Sequence, residues 1–584
     1  MSLIVFLIAS AVILLVAYHF MGRFLARWLD LTDAVPTPAH TMKDGLDFEP
    51  IGPSTLLPQH FSAIAAAGPI VGPILAGVSF GWLPTYIWII LGSIFIGGIH
   101  DITTLVASIR HRARSIAEIV RQYMNRRAYM LFLLFIWISL IYVIIAFADV
   151  TAGAFIQAGA TADAVAPGAA VATSSILYLL LAVAMGLAMK YGKLGATAAK
   201  AIFLPLVLAA IVAGPSIPFD LSAYIPAAKP QQVWNYLLLG YCFLASIAPL
   251  WLLLQPRGEL GGYFLYFIIG AGILGIFVGG LSGELTIQAP AFSEAAFFTS
   301  SGNLPPLFPI LFITVACGAC SGFHSIVTSG TTSKQLRTEN DAKPVAYGSM
   351  LLEAFFACIS LATIMIIAAP KGKPDALYAN GISQFLHHAT FGFLSVTTAY
   401  QFALLCFATF VFDTLDAATR LARYILMELT GWTGRSGIAL ATAVTLAFPA
   451  IIASLPPATM AGKTLPLWQV FWGLFGSSNQ LLAALALMAV TVWLWKIGKP
   501  CALPLFGTFF MLFMTLWSLG YTTTTILGKM QEGPVPILKT VELTVGVVLI
   551  GLTLWLVGEA FMTWFETRSE TGLELEEAEE GATP

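Results

Sequence analysis

The stretch His60-Phe-Ser-Ala-Ile-Ala-Ala-Ala-Gly68-Pro69-Ile-Val-Gly72-Pro73 decides how this chain is read. It lies in an apolar run, yet its two Gly-Pro pairs do not suit a continuous helix. Each proline removes a backbone donor, and its ring collides with the preceding turn. A second run is interrupted at Cys317-Gly318-Ala-Cys320-Ser321-Gly322-Phe-His324-Ser325, where small and polar residues fall in mid-run. Within a bilayer, irregular backbone is tolerated only where it is buried in protein or lines a cavity. Either stretch alone also reads as a proline kink or as close packing through small residues. Together they imply two discontinuous helices.

Composition sets the medium. Of 584 residues, 58% are hydrophobic and 10% charged, against about 25% charged in soluble domains. The apolar residues come in long runs without strand-like alternation, which excludes a β-barrel. We count about fifteen spans at ~20 residues each, near 3–20, 60–80, 83–108, 130–158, 173–190, 200–215, 234–255, 262–281, 307–329, 346–369, 395–427, 436–454, 474–496, 504–525 and 540–564. Of the 28 Lys and Arg, 22 fall after odd-numbered spans and six after even-numbered ones. The positive-inside rule then puts the N-terminus outside and the C-terminus in the cytoplasm of a multi-pass protein. The first run lacks a basic leader and an Ala-x-Ala site, so it reads as a retained span. The expected fold is therefore an all-α polytopic membrane protein.

The two interruptions belong to a larger pattern. Gly68 and Gly318 are 250 residues apart, and the in-run acids Asp149 and Asp413 are 264 apart. Spans 2 and 9 differ by an odd number, so the two units face opposite ways. Paired broken helices in inverted halves point to the binding site of a secondary transporter, here with a LeuT-like 5+5 core. The expected organisation is an N-terminal helix and cytoplasmic loop over 1–59 and a first repeat over 60–216. A hairpin and periplasmic loop occupy 217–306, the second repeat 307–497 and the C-terminal helices 498–565. Residues 566–584 carry seven glutamates and read as a disordered cytoplasmic tail.

Candidate residues follow from the chemistry. Half-helix N-termini present free N–H groups to anions, which nominates Gly68, Gly72, Cys317, Gly318, Ser321 and Gly322 as a backbone cradle for a carboxylate. No clear mid-span Lys or Arg is evident to share that task. His324 is a substrate or proton contact. An acid in a span must be neutral, paired or wet, so Asp413 with Thr414, and Asp149 with Thr151, are candidates for ion or proton coupling. Asp413 ranks first because it has no basic residue at i±3 or i±4, whereas Asp416 is expected to pair with Arg420. His100 and Asp101 form either a proton relay or a satisfied core pair. Asn479-Gln480 read as helix glue or as a rim contact. Cys317, Cys320 and His324 are spaced to share one helix face, but a single broken helix with no second ligand set is not taken as a metal site. No P-loop or haem-attachment motif occurs, so no cofactor is expected, and the longest soluble loop, about 39 residues from Met21 to Gln59, is too short to be an enzyme. The net charge of −2 excludes a bulk nucleic-acid surface.

At several places the sequence resembles the carbon starvation protein A (CstA) family. These are Met21 to Pro50, His60 to Pro73, Ser93-Ile-Phe-Ile-Gly-Gly-Ile-His100-Asp101, Gly322 to Thr332, Phe412-Asp413-Thr414-Leu-Asp416-Ala-Ala-Thr419-Arg420, and Leu474 to Ala483. The resemblance implies an inner-membrane permease of the amino acid–polyamine–organocation kind. It further implies uptake of pyruvate or short peptides under carbon starvation. The combined expectation is a secondary active transporter, proton-coupled with sodium as the other candidate ion, importing a small carboxylated nutrient. The alternative is a membrane nutrient sensor or regulatory subunit that binds ligand without transport.

Overall fold

The computed structural model describes every residue except 1, 45–47, 66, 157–166, 225–228, 250, 302–303, 457, 461–462 and 581–584. The chain is an all-α polytopic membrane protein. Its helices are α1 Leu3–Trp28, α2 Pro53–Ile64, α3 Gly68–Phe80, α4 Trp82–Arg110, α5 Ile116–Tyr123 and α6 Arg126–Phe155. They continue as α7 Pro167–Lys190, α8 Ala196–Ala213, α9 Pro230–Ile247, α10 Leu254–Leu281, α11 Leu307–Thr314 and α12 Gly322–Gly330. The remainder are α13 Ser349–Met365, α14 Pro374–Ala389, α15 Val396–Thr430, α16 Gly434–Ser454, α17 Leu467–Lys496, α18 Ala502–Glu532 and α19 Ile537–Glu580.

Among the described residues, eleven helices are long and apolar enough to cross a membrane, and the bent pair α2–α3 would make a twelfth. Each of the fifteen expected runs contains helix among the described residues, but three fall outside this set. Runs 200–215 and 234–255 form the 18-residue helices α8 and α9. Run 307–329 splits into α11 and α12, of eight and nine residues. α19 is helical in backbone as far as Glu580, into the segment expected to be disordered.

α14 is absent from the sequence reading. Its Asn380, Gln384, His387 and His388 lower its hydropathy below that of a span, but it buries Leu377, Tyr378, Ile382 and Phe385 against α10 and α15. Caps mark several helix starts. Asn125 accepts the Ala128 N–H at the head of α6, and Ser395 that of Thr398 at the head of α15, each satisfying a donor the helix leaves unpaired. In the interior, α6 packs along α15 and α17, α2 along α10, and α3 along α13. The two interrupted segments lie inside this packing.

Candidate functional site

Both interruptions are real breaks. α2 and α3 are bent by 46° at theirs, and α11 and α12 are separated by residues 315–321 in irregular backbone. The two breaks pack into one another. A β-carbon on Gly68 would collide with the Cys317 side chain, and one on Gly72 would lie 2.6 Å from the Thr314 carbonyl oxygen. Gly318 faces Ala357 and Pro69, and Gly322 faces the backbone of Asn479 and Ala483. In this conformation the nominated cradle is filled by the protein's own atoms.

The freed backbone groups of the second break are satisfied largely from α17. Asn479 Oδ1 accepts the Phe323 N–H at 2.9 Å, and its amide nitrogen donates to Ser321 Oγ at 3.1 Å. Gln480 Nε2 donates to the Phe312 carbonyl at 3.0 Å, and Trp88 Nε1 to that of Val315 at 3.1 Å. Asn479-Gln480 are glue, capping both sides of one break. Cys317 and Cys320 lie in the irregular stretch and His324 inside α12, so the three do not share a helix face. Among the described residues, no group of three or more His, Cys, Asp or Glu is arranged to hold a metal ion.

Three polar clusters surround the breaks. In the first, Asp101 lies between two imidazoles, with His100 Nδ1 at 2.7 Å from Oδ1 and His324 Nδ1 at 2.8 Å from Oδ2. His324 Nε2 is 3.2 Å from Glu353 Oε2 of α13. All four residues are fully buried. His100 and Asp101 sit just after a π-turn at Ser93–Gly97 in α4, an irregularity frequent at functional sites. The sequence reading omits Glu353, although a lone acid in an apolar run is itself the signal.

The second cluster centres on Arg257, buried at 1% exposure in the first turn of α10. Its Nε is 2.5 Å from Asp413 Oδ1, and its Nη1 pairs with Asp416 Oδ2. Tyr241 OH donates to Asp416 Oδ2 at 2.7 Å, and Ser62 Oγ to Asp413 Oδ2 at 3.1 Å. The Phe412 ring lies 4.4 Å from the guanidinium carbon. Two expectations are corrected here. The interior does hold a buried cation, and Asp416 pairs with Arg257 and Tyr241 while Arg420 donates to the carbonyls of Ala245 and Ala248. Pro256 beside Arg257 was the available clue, because proline favours the first turn of a helix. A cavity of about 110 Å³ borders this cluster, with Gln59, Ser62, Arg257, Lys334, Asp413 and Asp416 in its wall.

The third cluster surrounds Asp149. Gln231 and Asn235 donate to its Oδ1 at 2.8 and 3.0 Å, and the Trp468 N–H donates to Oδ2 at 3.0 Å. Asp149 thus caps the head of α17. Thr151 and Thr414 bond back to the Phe147 and Phe410 carbonyls of their own helices. The cradle set meets the His100–Asp101 pair through His324, whereas Asp413 and Asp149 stand in separate clusters. α2 touches one of the three through Ser62 to Asp413, and its His60 Nδ1 lies 2.9 Å from Thr332 Oγ1.

These features define a multi-pass helical membrane protein with broken helices packed among buried charges. The sequence model of the family described as "Carbon starvation protein CstA" matches residues 2–376 and 369–518, and the chain belongs to that family. It is 31% identical over 559 residues to the "Peptide transporter CstA" of Escherichia coli (strain K12), covering 84% of this chain and 77% of that protein. Its counterpart in Bacillus subtilis (strain 168) is 30% identical over 553 residues, with 86% and 88% covered. The "Pyruvate/proton symporter BtsT" of Escherichia coli (strain K12) is 28% identical over 613 residues, covering 88% and 80%. A solved manganese transporter of Eremococcus coleocola superposes with a TM-score of 0.48 at 14% identity, over 90% of this chain and 99% of that one. The named relatives are transporters, which supports a transporter rather than an enzyme.

Proposed function

We propose that this chain is a secondary active transporter that imports a small carboxylated nutrient, pyruvate or a short peptide, together with a proton when carbon is scarce. The observation that carries this reading is the contact between the two breaks, Gly68 on Cys317 and Gly72 on the Thr314 carbonyl. Discontinuous helices meeting in the core are the usual location of a transporter's substrate site. The cradle of Gly68, Gly72, Cys317, Gly318, Ser321, Gly322 and His324 opens to substrate when the two breaks part. The relatives' names support a transporter; the cargo class and the ion in this proposal are taken over from the names peptide transporter and pyruvate/proton symporter.

Asp413 carries the coupling proton. One guanidinium faces two carboxylates, so the cluster holds a net negative charge when all three are ionised, and a buried uncompensated charge is strongly unfavourable. One proton on a carboxylate removes that charge. Asp416 receives both Tyr241 and Arg257 Nη1, whereas Asp413 has the hydroxyl of Ser62 and the Nε contact. Asp413 is therefore the acid that takes the proton.

The protein sits in the inner membrane with its N-terminus outside and its C-terminus in the cytoplasm. A reporter fused at Gly302, outside the described residues, reads periplasmic, and one at Thr338 reads cytoplasmic. Finding both on one side overturns this orientation. Function is tested by counterflow of labelled pyruvate and of a labelled dipeptide in proteoliposomes under an imposed pH gradient. Neither solute accumulating overturns the importer reading.

A further inference from the structure

We infer that Arg257 is the carboxylate-recognition residue of this protein and that substrate carboxylate and Asp413 compete for its guanidinium. The inference rests on the importer reading and departs from it on one point: the carboxylate binds at Arg257 and not at the backbone cradle, which the protein's own atoms fill in this conformation. It also gives the reason a proton accompanies it.

The cavity beside Arg257 has about 110 Å³, room for several waters or one small organic acid, since a single water occupies ~10–15 Å³ on this measure. Its wall combines a guanidinium, an ammonium and amide and hydroxyl groups, from Arg257, Lys334, Gln59, Gln335 and Ser62. Arg257 Nη2 is buried and has no hydrogen-bond partner, and Nε touches Asp413 without hydrogen-bond alignment. A guanidinium whose Nη2 is unpartnered and whose Nε is held only by the Asp413 ion pair is suited to a carboxylate once that pair is released, because it can bind one through two parallel hydrogen bonds. An unpartnered donor in such a place is otherwise unfavourable.

The two aspartates would repel an anion if both remained ionised. The charged and titratable groups around Asp413 are Arg257 on α10, Asp416 on its own helix, Tyr178 on α7 and Tyr241 on α9, with Lys334 in the cavity wall. When Asp413 takes a proton, its ion pair with Arg257 Nε is released and the carboxylic acid keeps its contact with Ser62. The substrate carboxylate then takes the vacated position on the guanidinium. The cluster has net charge −1 before loading, zero after protonation, and −1 with the substrate anion in place. One proton and one carboxylate enter together, and the buried charge returns to its starting value. Proton and substrate binding are linked because both act on the same guanidinium.

The test uses purified full-length protein in detergent and calorimetric titration with pyruvate, a dipeptide, and methyl pyruvate, which lacks the carboxylate. Titrations in buffers of different ionisation enthalpy give the protons taken up per ligand. Wild-type protein is expected to bind pyruvate or the dipeptide with uptake of one proton, more tightly at mildly acidic than at mildly alkaline pH, and to bind methyl pyruvate at least about tenfold more weakly. Arg257→Lys keeps the charge but not the paired donors, and should weaken carboxylate binding by about tenfold or more while its melting temperature shows that it is folded. Asp413→Asn should bind without proton uptake and with pH-independent affinity, a readout that does not depend on the folding of any Arg257 variant. Wild-type affinity in folded Arg257→Lys, or undiminished proton uptake in Asp413→Asn, overturns the inference. If wild-type proteoliposomes show counterflow while Arg257→Lys matches them, the Arg257 site falls and the importer reading stands. If wild-type protein neither binds nor exchanges either carboxylate, both fall.

Discussion

The Arg257 cluster and the Asp101 cluster are both buried and both hold two acids, but they differ in their cations and in their access to solvent-sized space. Arg257 is charged at any attainable pH, so any change of charge there must come from Asp413 or Asp416, and the cluster borders a cavity. The Asp101 group has only imidazoles as counterions, and its four members are fully buried. Both Nδ1 atoms pair with Asp101, and His324 Nε2 faces Glu353 Oε2 at 3.2 Å without hydrogen-bond alignment. In this conformation the Arg257 cluster borders open space, whereas the Asp101 cluster is sealed and ties α4, α12 and α13 together.

The largest expected effect tests the open side. Asp413→Asn is nearly isosteric and should abolish proton-driven accumulation, while exchange of substrate down its own gradient persists. Uptake against a gradient in response to a pH step would remove the distinction between the two clusters.

On the sealed side, Asp101→Asn removes the charge and turns one of the two oxygens facing the imidazoles into a donor, and should destabilise the protein by ~3–5 kcal/mol, read from thermal melting in detergent. Glu353→Gln keeps the side chain's size and a polar group facing His324 Nε2 and should lose only ~1 kcal/mol. Equal losses for the two would mean that Glu353 is ionised and that the proton rests on His324.

Packing at the breaks gives a smaller effect. Gly68→Ala pushes a methyl group into Cys317 and should lower stability by ~1–3 kcal/mol. Cys317→Ala should recover part of the loss, and a double-mutant cycle shows whether the two positions are coupled. Asn479→Ala strips the cap from the Phe323 N–H and should cost about 1 kcal/mol. The smallest change belongs to Thr151→Val and Thr414→Val, whose hydroxyls serve only their own helices. Stability should stay within ~0.5 kcal/mol of wild type and uptake should be unaltered, so a loss of uptake would return these residues to the coupling path.

Much of this architecture is legible in local chemistry. Gly68-Pro69 marks the break because proline's ring and missing N–H are tolerated at the start of a helix and not within it, whereas Gly72-Pro73, expected to interrupt as well, lies inside the continuous helix α3. Hydropathy marks the spans because a bilayer selects for uninterrupted apolar length. It passes over α14 for the same reason, since a helix buried among other helices can carry Asn380, Gln384 and two histidines. The partners of buried charges are a different matter. Asp413 has no base within one turn along α15, and only the approach of α10 brings Arg257 to it. Asp416 and Arg420 are spaced to meet, yet each finds a better partner on another helix. Glu353 and His324 stand 29 residues apart and meet only because α12 packs near α13. The sequence by itself determined the medium, the helices and the places where they break, because those depend on neighbours along the chain. Tertiary structure alone decided which charges pair and which breaks fill each other, because in a low-dielectric interior a charge must be satisfied by whatever group the packing brings within reach.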